Sequence, residues 1–237
     1  AALRQISALE YNPFEAINTN IIGSQHIIRA AIETNVKRVI FISSSDACHP
    51  ENLSGVTKLT AEKLFIQSNF YATNNQRFSV ARCGDDLENF DNLIPDILRQ
   101  KPSGVIKICD KNLSRFWSNS SQAAKFVWNI ANKIEGGEIF VPKLQSVKIS
   151  ELAKAIAPKA KLMVSGLKPG DKLGETLITH EEIKRTLEMS QHFIIQPLSP
   201  FPSSPKIKGI PTARTDEYNS SNNNYWMTAN ELNQILK

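Results

Sequence analysis

At 237 residues, 41% of them hydrophobic and 22% charged, the chain can bury a sizeable core and has the composition of an ordinary globular protein. Its net charge of +5 comes from 28 basic and 23 acidic residues without a run of five or six like charges, which gives a mildly basic solvated surface and no nucleic-acid footprint, and is equally compatible with a basic pocket for a diphosphate. No apolar run approaches the ~18 residues of a membrane helix and no signal peptide is visible, so no membrane span and a cytoplasmic location are expected.

Cys48, Cys83 and Cys109 are odd in number and far apart, and they read as reduced thiols. Asp46, Cys48 and His49 are close in sequence but have no second ligand cluster at a recognisable spacing, so no metal site is expected. The chain opens on AALRQISALEYNP, with alanine at residue 1. Nothing ahead of that stretch supplies a first strand and phosphate loop, and an N-terminally incomplete fold is expected.

Asn12 as cap and Pro13 at the first helical position start a helix, in which Phe14, Ile17, Ile21, Ile28 and Ala31 share one face and which ends near Asn35. Val39 to Ile42 is a short apolar run, predicting a strand buried on both faces. Phe41 to Lys58, FISSSDACHPENLSGVTK, is then the loop after a strand's carboxyl end, where ligands meet side chains in a parallel sheet. Val56, Leu59, Leu64 and Phe65 place a helix over residues 55–69. Arg77 to Arg82 predicts the next strand, 92–100 a helix and Val105 to Ile108 a strand. Ser120 caps a helix through Ile134 with Ala124, Val127, Trp128 and Ala131 on its apolar face. Glu138 to Val141 is a buried strand, Ser150 begins a helix that Pro158 stops, Lys161 to Val164 is a strand, and Phe193 to Ile195 is a last apolar run. Residues 197–224 hold five of the twelve prolines and the run SSNNN, which predicts a low-structure arm over the surface. Tyr225, Trp226, Leu232 and Ile235 predict a closing helix.

The alternation of strands and helices implies an α/β fold with a parallel sheet. A boundary is expected after residue 145, with a nucleotide-binding core over 1–145 and a substrate-binding region over 146–237 that carries the arm.

Several stretches carry a family resemblance. Registered on Pro50, the residues Ser43, Ser44, Ser45, Asp46, Ala47, Asn52, Leu53, Ser54, Gly55, Val56, Thr57 and Lys58 stand against the pattern S-T-D-K-A-A-N-P-x-N-L-Y-G-A-T-K. With EYNPFEAINTNIIGSQHIIRAAIETNVKRVIFIS, RFSVARCGD, GGEIFVPKLQSVKISELAKAIAP and GLKPGDKLGETLIT, the chain resembles the inverting UDP-N-acetylglucosamine 4,6-dehydratases and related polysaccharide-biosynthesis proteins, within the extended short-chain dehydrogenase/reductase superfamily. The resemblance implies a Rossmann-like sheet lacking roughly its first three strands, an NAD or NADP cofactor, a UDP-sugar as small-molecule partner, and a homo- or hetero-oligomer formed through helices.

The family reaction takes hydride from the sugar's C4, eliminates water across C5 and C6, and returns hydride to C6. A tyrosinate base with a lysine one helical turn on serves the first step, and an Asp–Lys pair after the strand serves the elimination. The resemblance makes Ser44 and Lys58 the retained catalytic positions, with Ser43 and Lys58 on the cofactor side. Ser54 stands at the tyrosine position, Ser45 at the aspartate and Asp46 at the lysine, so three of the five central groups are replaced. None of the ten glycines forms G-x-x-G-x-x-G. On the substrate side the resemblance implies Lys168 on the diphosphate, Asp171 on the ribose, Arg115 near the nucleotide and Asp85 where the family has an asparagine; Asn20 matches a family asparagine and is read as a helix–sheet contact. These letters imply a dehydratase/epimerase-family protein impaired or inactive as this chain. The alternatives are a non-catalytic pseudoenzyme that binds a nucleotide sugar or partners an active paralogue, and a decayed gene fragment.

Overall fold

The computed structural model describes residues 2–3, 5–73, 75–84, 93–167, 172–198, 201 and 207–235. The chain packs into two compact units that alternate along it. The first is built from Ala1–Cys83, Ala124–Lys143 and Leu177–Glu217, the second from Gly84–Ala123, Leu144–Thr176 and Tyr218–Lys237.

The first unit is organised on a six-stranded sheet. Arg38–Ser44, Arg77–Cys83 and Ile139–Pro142 lie side by side in parallel. His192–Ile195, Thr186–Glu188 and Ile210–Pro211 continue the sheet in antiparallel pairs. The fold is α/β with a Rossmann-like parallel portion, as the sequence predicts. Arg77–Cys83, flanked on both sides, is buried from Phe78 through Cys83, as a central strand covered on both faces must be.

Arg38–Ser44 corrects an expectation. Its apolar run predicts burial on both faces, yet Ile42 is 58% exposed. Among the described residues the strand pairs with Arg77–Cys83 alone. Phe41 packs onto the following helix, stacking on Phe65 at 4.8 Å between ring centroids.

The helix from Pro13 is composite: an α turn Pro13–Ala16, a π segment Ile17–Ile22, then an α-helix Gly23–Glu33. The wider π turns rotate the buried face away from the 3.6-residue prediction. Ala16, Asn20, Ser24, Ile28 and Ala31 are buried, while Phe14 is 81% exposed and Ile17 is exposed too. Asn20 makes a helix–helix contact: its amide nitrogen donates to Thr57 Oγ1 and to the Leu3 carbonyl, both at 3.0 Å, and its oxygen accepts the Leu3 amide at 2.8 Å. Asn35, past the helix end, takes a left-handed backbone with φ 59°.

Leu53–Gln67 is the second long helix, capped by Asn52, whose side chain accepts the Gly55 amide at 3.0 Å. A Cβ on Gly55 would lie 2.5 Å from the Asp46 carbonyl oxygen, so only glycine lets the helix start approach the preceding loop this closely. In Ser120–Ala131 the buried anchor is Ile130; Trp128, expected on the apolar face, is 82% exposed.

The second unit has its own apolar core, in which Ile106, Trp117, Val147, Leu152, Met227 and Leu232 are buried together. Val105–Ile108 pairs in parallel with Lys161–Val164, and Ser114–Phe116 pairs antiparallel with Ser146–Lys148. The helices Leu93–Gln100, Ile149–Ile156 and Ala229–Ile235 fall where the pattern predicts them. The segment read as a low-structure arm contributes Ile210–Pro211 to the sheet, and its end is packed: Tyr218, Ser220 and Asn223 are buried. Tyr218 Oη accepts the Leu144 amide at 2.8 Å, and the Asn223 amide donates to Ser146 Oγ at 2.9 Å. Polar side chains bonding backbone groups replace apolar periodicity there, and a search for apolar runs does not detect them.

Candidate functional site

The carboxyl end of Arg38–Ser44 delivers Ser43 and Ser44, followed by a 3₁₀ turn, Ser45–Ala47. Ser44 is extended and caps that turn, its Oγ accepting the Asp46 amide at 3.3 Å. His49 then takes φ 48°, a left-handed bend that turns the chain back toward Pro50 and the Asn52 cap. Its ring Nε2 lies 2.6 Å from Glu217 Oε1, which ties the loop to residue 217.

Three of the sequence-predicted residues come together. Lys58 Nζ donates to Ser44 Oγ at 2.8 Å and to Asp46 Oδ2 at 3.0 Å. The Lys58 side chain is 11% exposed and that of Asp46 34%, so the pair is partly screened. Ser54 precedes Lys58 by four residues and lies on the same face of the helix. It is 1% exposed, and its Oγ has no hydrogen-bond partner among the described residues. Ser43 Oγ is likewise buried without one. Ser45, at the aspartate position, is buried in the 3₁₀ turn.

A buried, ionic scaffold lies in the same unit. Arg82 is fully buried and reaches two carboxylates. It is bidentate to Glu62 at 3.0 and 2.7 Å and to Glu182 at 2.8 and 3.1 Å, with a further bond to the Leu177 carbonyl at 2.9 Å. Burial opposes its charge, but the Cys48 sulfur, Glu62 and Glu182 hold the guanidinium well above its ordinary range. Burial alone would push Glu182 up; the Arg82 charge and hydrogen bonds bring it down to about 2. Sequence reading did not find this network. Its signal was an arginine inside the apolar strand RFSVARC, a position that demands buried counter-charges.

Arg115, in the second unit, donates through Nη1 to the carbonyls of Ser114 at 2.8 Å and Lys172 at 3.0 Å. Its Nε lies 3.5 Å from Glu175 Oε1. These contacts fasten the 172–175 segment. Asp85, Lys168 and Asp171 lie outside the described residues.

The cluster can present hydrogen-bond donors to an oxygen, but it holds no phenol, and no base contacts Ser54 among the described residues. Lys58, which the resemblance sets beside a cofactor ribose, gives two of its three protons to Ser44 and Asp46, and none of the ten glycines stands in a G-x-x-G-x-x-G pattern.

A family model described as polysaccharide biosynthesis protein matches residues 1–197. The UDP-N-acetylglucosamine 4,6-dehydratase (inverting) of Campylobacter jejuni subsp. jejuni serotype O:2 is 35% identical over 247 aligned residues, covering 100% of this chain and 74% of the relative. The X-ray structure of Pen from Bacillus thuringiensis superposes with a TM-score of 0.83 at 33% identity, covering 100% of this chain and 72% of that one. MoeE5 in complex with UDP-glucose and NAD matches with a TM-score of 0.59 at 19% identity over 72% of this chain and 65% of its own, a likeness of fold alone. The matched family model and the full-chain identity agree with the Ser44–Lys58 geometry: the chain belongs to the polysaccharide biosynthesis protein family that contains the inverting UDP-N-acetylglucosamine 4,6-dehydratases.

Proposed function

We propose that this chain is a nucleotide-sugar 4,6-dehydratase/epimerase-family protein of polysaccharide or sialic-acid-like sugar biosynthesis that binds a UDP-sugar but is impaired in hydride transfer. The observation that carries the reading is Ser54. At the helical position one turn before Lys58 there is a serine hydroxyl with no partner in place of a phenol, and a hydroxyl without a neighbouring base is far too weakly acidic to deprotonate a sugar alcohol at neutral pH. Lys58, bonded to Asp46 and Ser44, has no phenolate to stabilise.

In this reading residues 1–145 descend from a cofactor-binding core and 146–237 from a substrate region. Arg115, Lys168 and Asp171 are assigned to the nucleotide, with Asp85 beside it. NAD or NADP is the ancestral cofactor, Ser43 and Lys58 being its remaining contacts, and an oligomer in the cytoplasm is the working state. A non-catalytic role is the second reading, favoured by the same Lys58–Asp46 pair. Incubation with UDP-N-acetylglucosamine and either NAD or NADP is expected to yield no 4-keto-6-deoxy product above a no-protein control, while calorimetry registers UDP-sugar binding. Product formation would overturn the impairment, and absence of binding would overturn the nucleotide-sugar assignment.

A further inference from the structure

The amino ends of the parallel strands border an open cavity of about 420 Å³, lined by Lys37, Arg38, Asn75, Arg77, Ile134 and Glu135. All six belong to the first unit. From Arg38 to Ser44 the extended chain covers roughly 20 Å at about 3.3 Å per residue, so the cavity is separate from the cluster at the carboxyl end. Buried polar side chains hold the turns that build it. The Gln76 amide donates to the carbonyls of Ala31 at 2.9 Å and Val36 at 3.3 Å, and its oxygen accepts the Thr73 amide at 3.1 Å. It thereby fastens the turn ahead of Lys37 to the one that carries Asn75. Asn69 bonds the amide of Phe78 at 3.1 Å and its carbonyl at 2.8 Å, next to Arg77. Glu138 Oε1 accepts the Glu135 amide at 2.6 Å, and Gly136 and Gly137 follow with φ 109° and 89°. A Cβ on Gly136 would lie 2.5 Å from Asn69 Oδ1 and 3.1 Å from Arg77 Cδ, so glycine lets this turn close against Arg77.

Into this frame the sequence puts three cations. Arg38 and Arg77 are direct partners in the parallel register, so their side chains leave the same face of strands about 4.8 Å apart, where like charges repel. Lys37 adds a third positive charge, and Glu135 is the lining's one carboxylate, which leaves two net positive charges. Arg77 Nη1 donates to the Gln76 carbonyl at 2.8 Å and Lys37 Nζ to Asn35 Oδ1 at 3.1 Å. Both of these oxygens are neutral and do not offset the charge. We infer that the cavity is a second ligand site, which binds the phosphate group of a small phosphate monoester. A phosphate carrying close to two negative charges balances the lining, and its oxygens match the forked donors of two guanidinium groups. Asn75 and Glu135 can take hydrogen bonds from hydroxyls on the ester's organic part.

The test titrates the full chain by calorimetry with glycerol 3-phosphate, inorganic phosphate and, as the uncharged control, glycerol, all at one ionic strength. Glycerol 3-phosphate is expected to bind, inorganic phosphate to bind more weakly, and glycerol to give no heat. Arg38→Gln should weaken the binding of glycerol 3-phosphate about tenfold, the worth of one charge-assisted hydrogen bond. Lys37→Gln, also at an exposed position, should act in the same direction and serves if the first variant fails to fold. Absence of heat from both phosphates would overturn the inference, as would affinities that neither variant changes. Binding that survives Arg38→Gln but is lost in Lys168→Gln would assign the anion to the nucleotide side and overturn it too. None of these outcomes bears on whether a UDP-sugar binds.

Discussion

Arg82 shows how much a single side chain can decide. Its guanidinium is buried with two carboxylates arranged around it, and each of the three charges is tolerable only because the others are there. Replacing Arg82 by Met keeps much of the volume but leaves Glu62 and Glu182 buried without their counter-ion. The expected loss is roughly 3–5 kcal/mol in a urea unfolding experiment, against at most about 0.5 kcal/mol for an exposed substitution such as Arg29→Met. A loss below 1 kcal/mol would mean that the carboxylates find other partners. At this scale the sequence was partly legible. The family resemblance makes Ser44 and Lys58 separate retained positions, and the structure brings them to 2.8 Å of each other. It sets Asp46 at a lysine position. That it closes on Lys58 depends on the 3₁₀ turn after Ser44, which no local letter dictates.

Most strands and helices were legible because apolar periodicity and capping residues are local signals. Pro13 and the run from Arg77 to Arg82 did what their chemistry requires, whereas Asn12, read as a cap, makes no side-chain capping bond. The failures share a cause, namely that burial depends on neighbours remote in sequence. Val39 to Ile42 has the composition of a central strand, but among the described residues it is paired on one side and Ile42 is exposed. The π segment Ile17–Ile22 is equally invisible, since nothing in the letters INTNII separates a π turn from an α turn; Asn20 within it donates to Thr57. The exposed strand has a measurable consequence. An apolar strand with unpaired amides on one side invites pairing with another chain, and a charge at its exposed position opposes this. Ile42→Lys is expected to lower concentration-dependent association in sedimentation velocity, with a change in monomer stability within about 0.5 kcal/mol. Unchanged association would locate the sticky surface elsewhere, with the exposed Tyr11 and Phe14 the next to vary.

The stability of the molecule as a whole should carry the signatures of two buried carboxylates with opposite signs. Glu182 has its folded pKa at about 2, below the ordinary 4.5, so its contribution is fully present above pH 4.5 and is lost as pH falls toward 2. That contribution is roughly 3 kcal/mol. Glu138 runs the other way. Burial raises its pKa, and hydrogen bonds from the Glu135 amide at 2.6 Å and Ser79 Oγ at 2.9 Å offset this only in part. The folded state therefore binds the Glu138 proton more tightly than the unfolded state, and stability declines as pH rises above 4.5. Glu138→Gln should remove that decline, leaving the acid-side loss to Glu182. Melting temperatures of the two proteins between pH 3 and 8 would test this, and parallel profiles would exclude Glu138 as the source.

The alternation of the two units along the chain also sets a timetable for synthesis. Arg82 leaves the ribosome well before Glu182, which follows it by 100 residues, and the first unit's last segment ends only at Glu217. At translation rates of about 5–20 residues per second, the arginine waits on the order of 5–20 s for its second counter-ion. During that interval the first unit cannot close, and the growing chain depends on whatever in the cell shields an unfinished sheet.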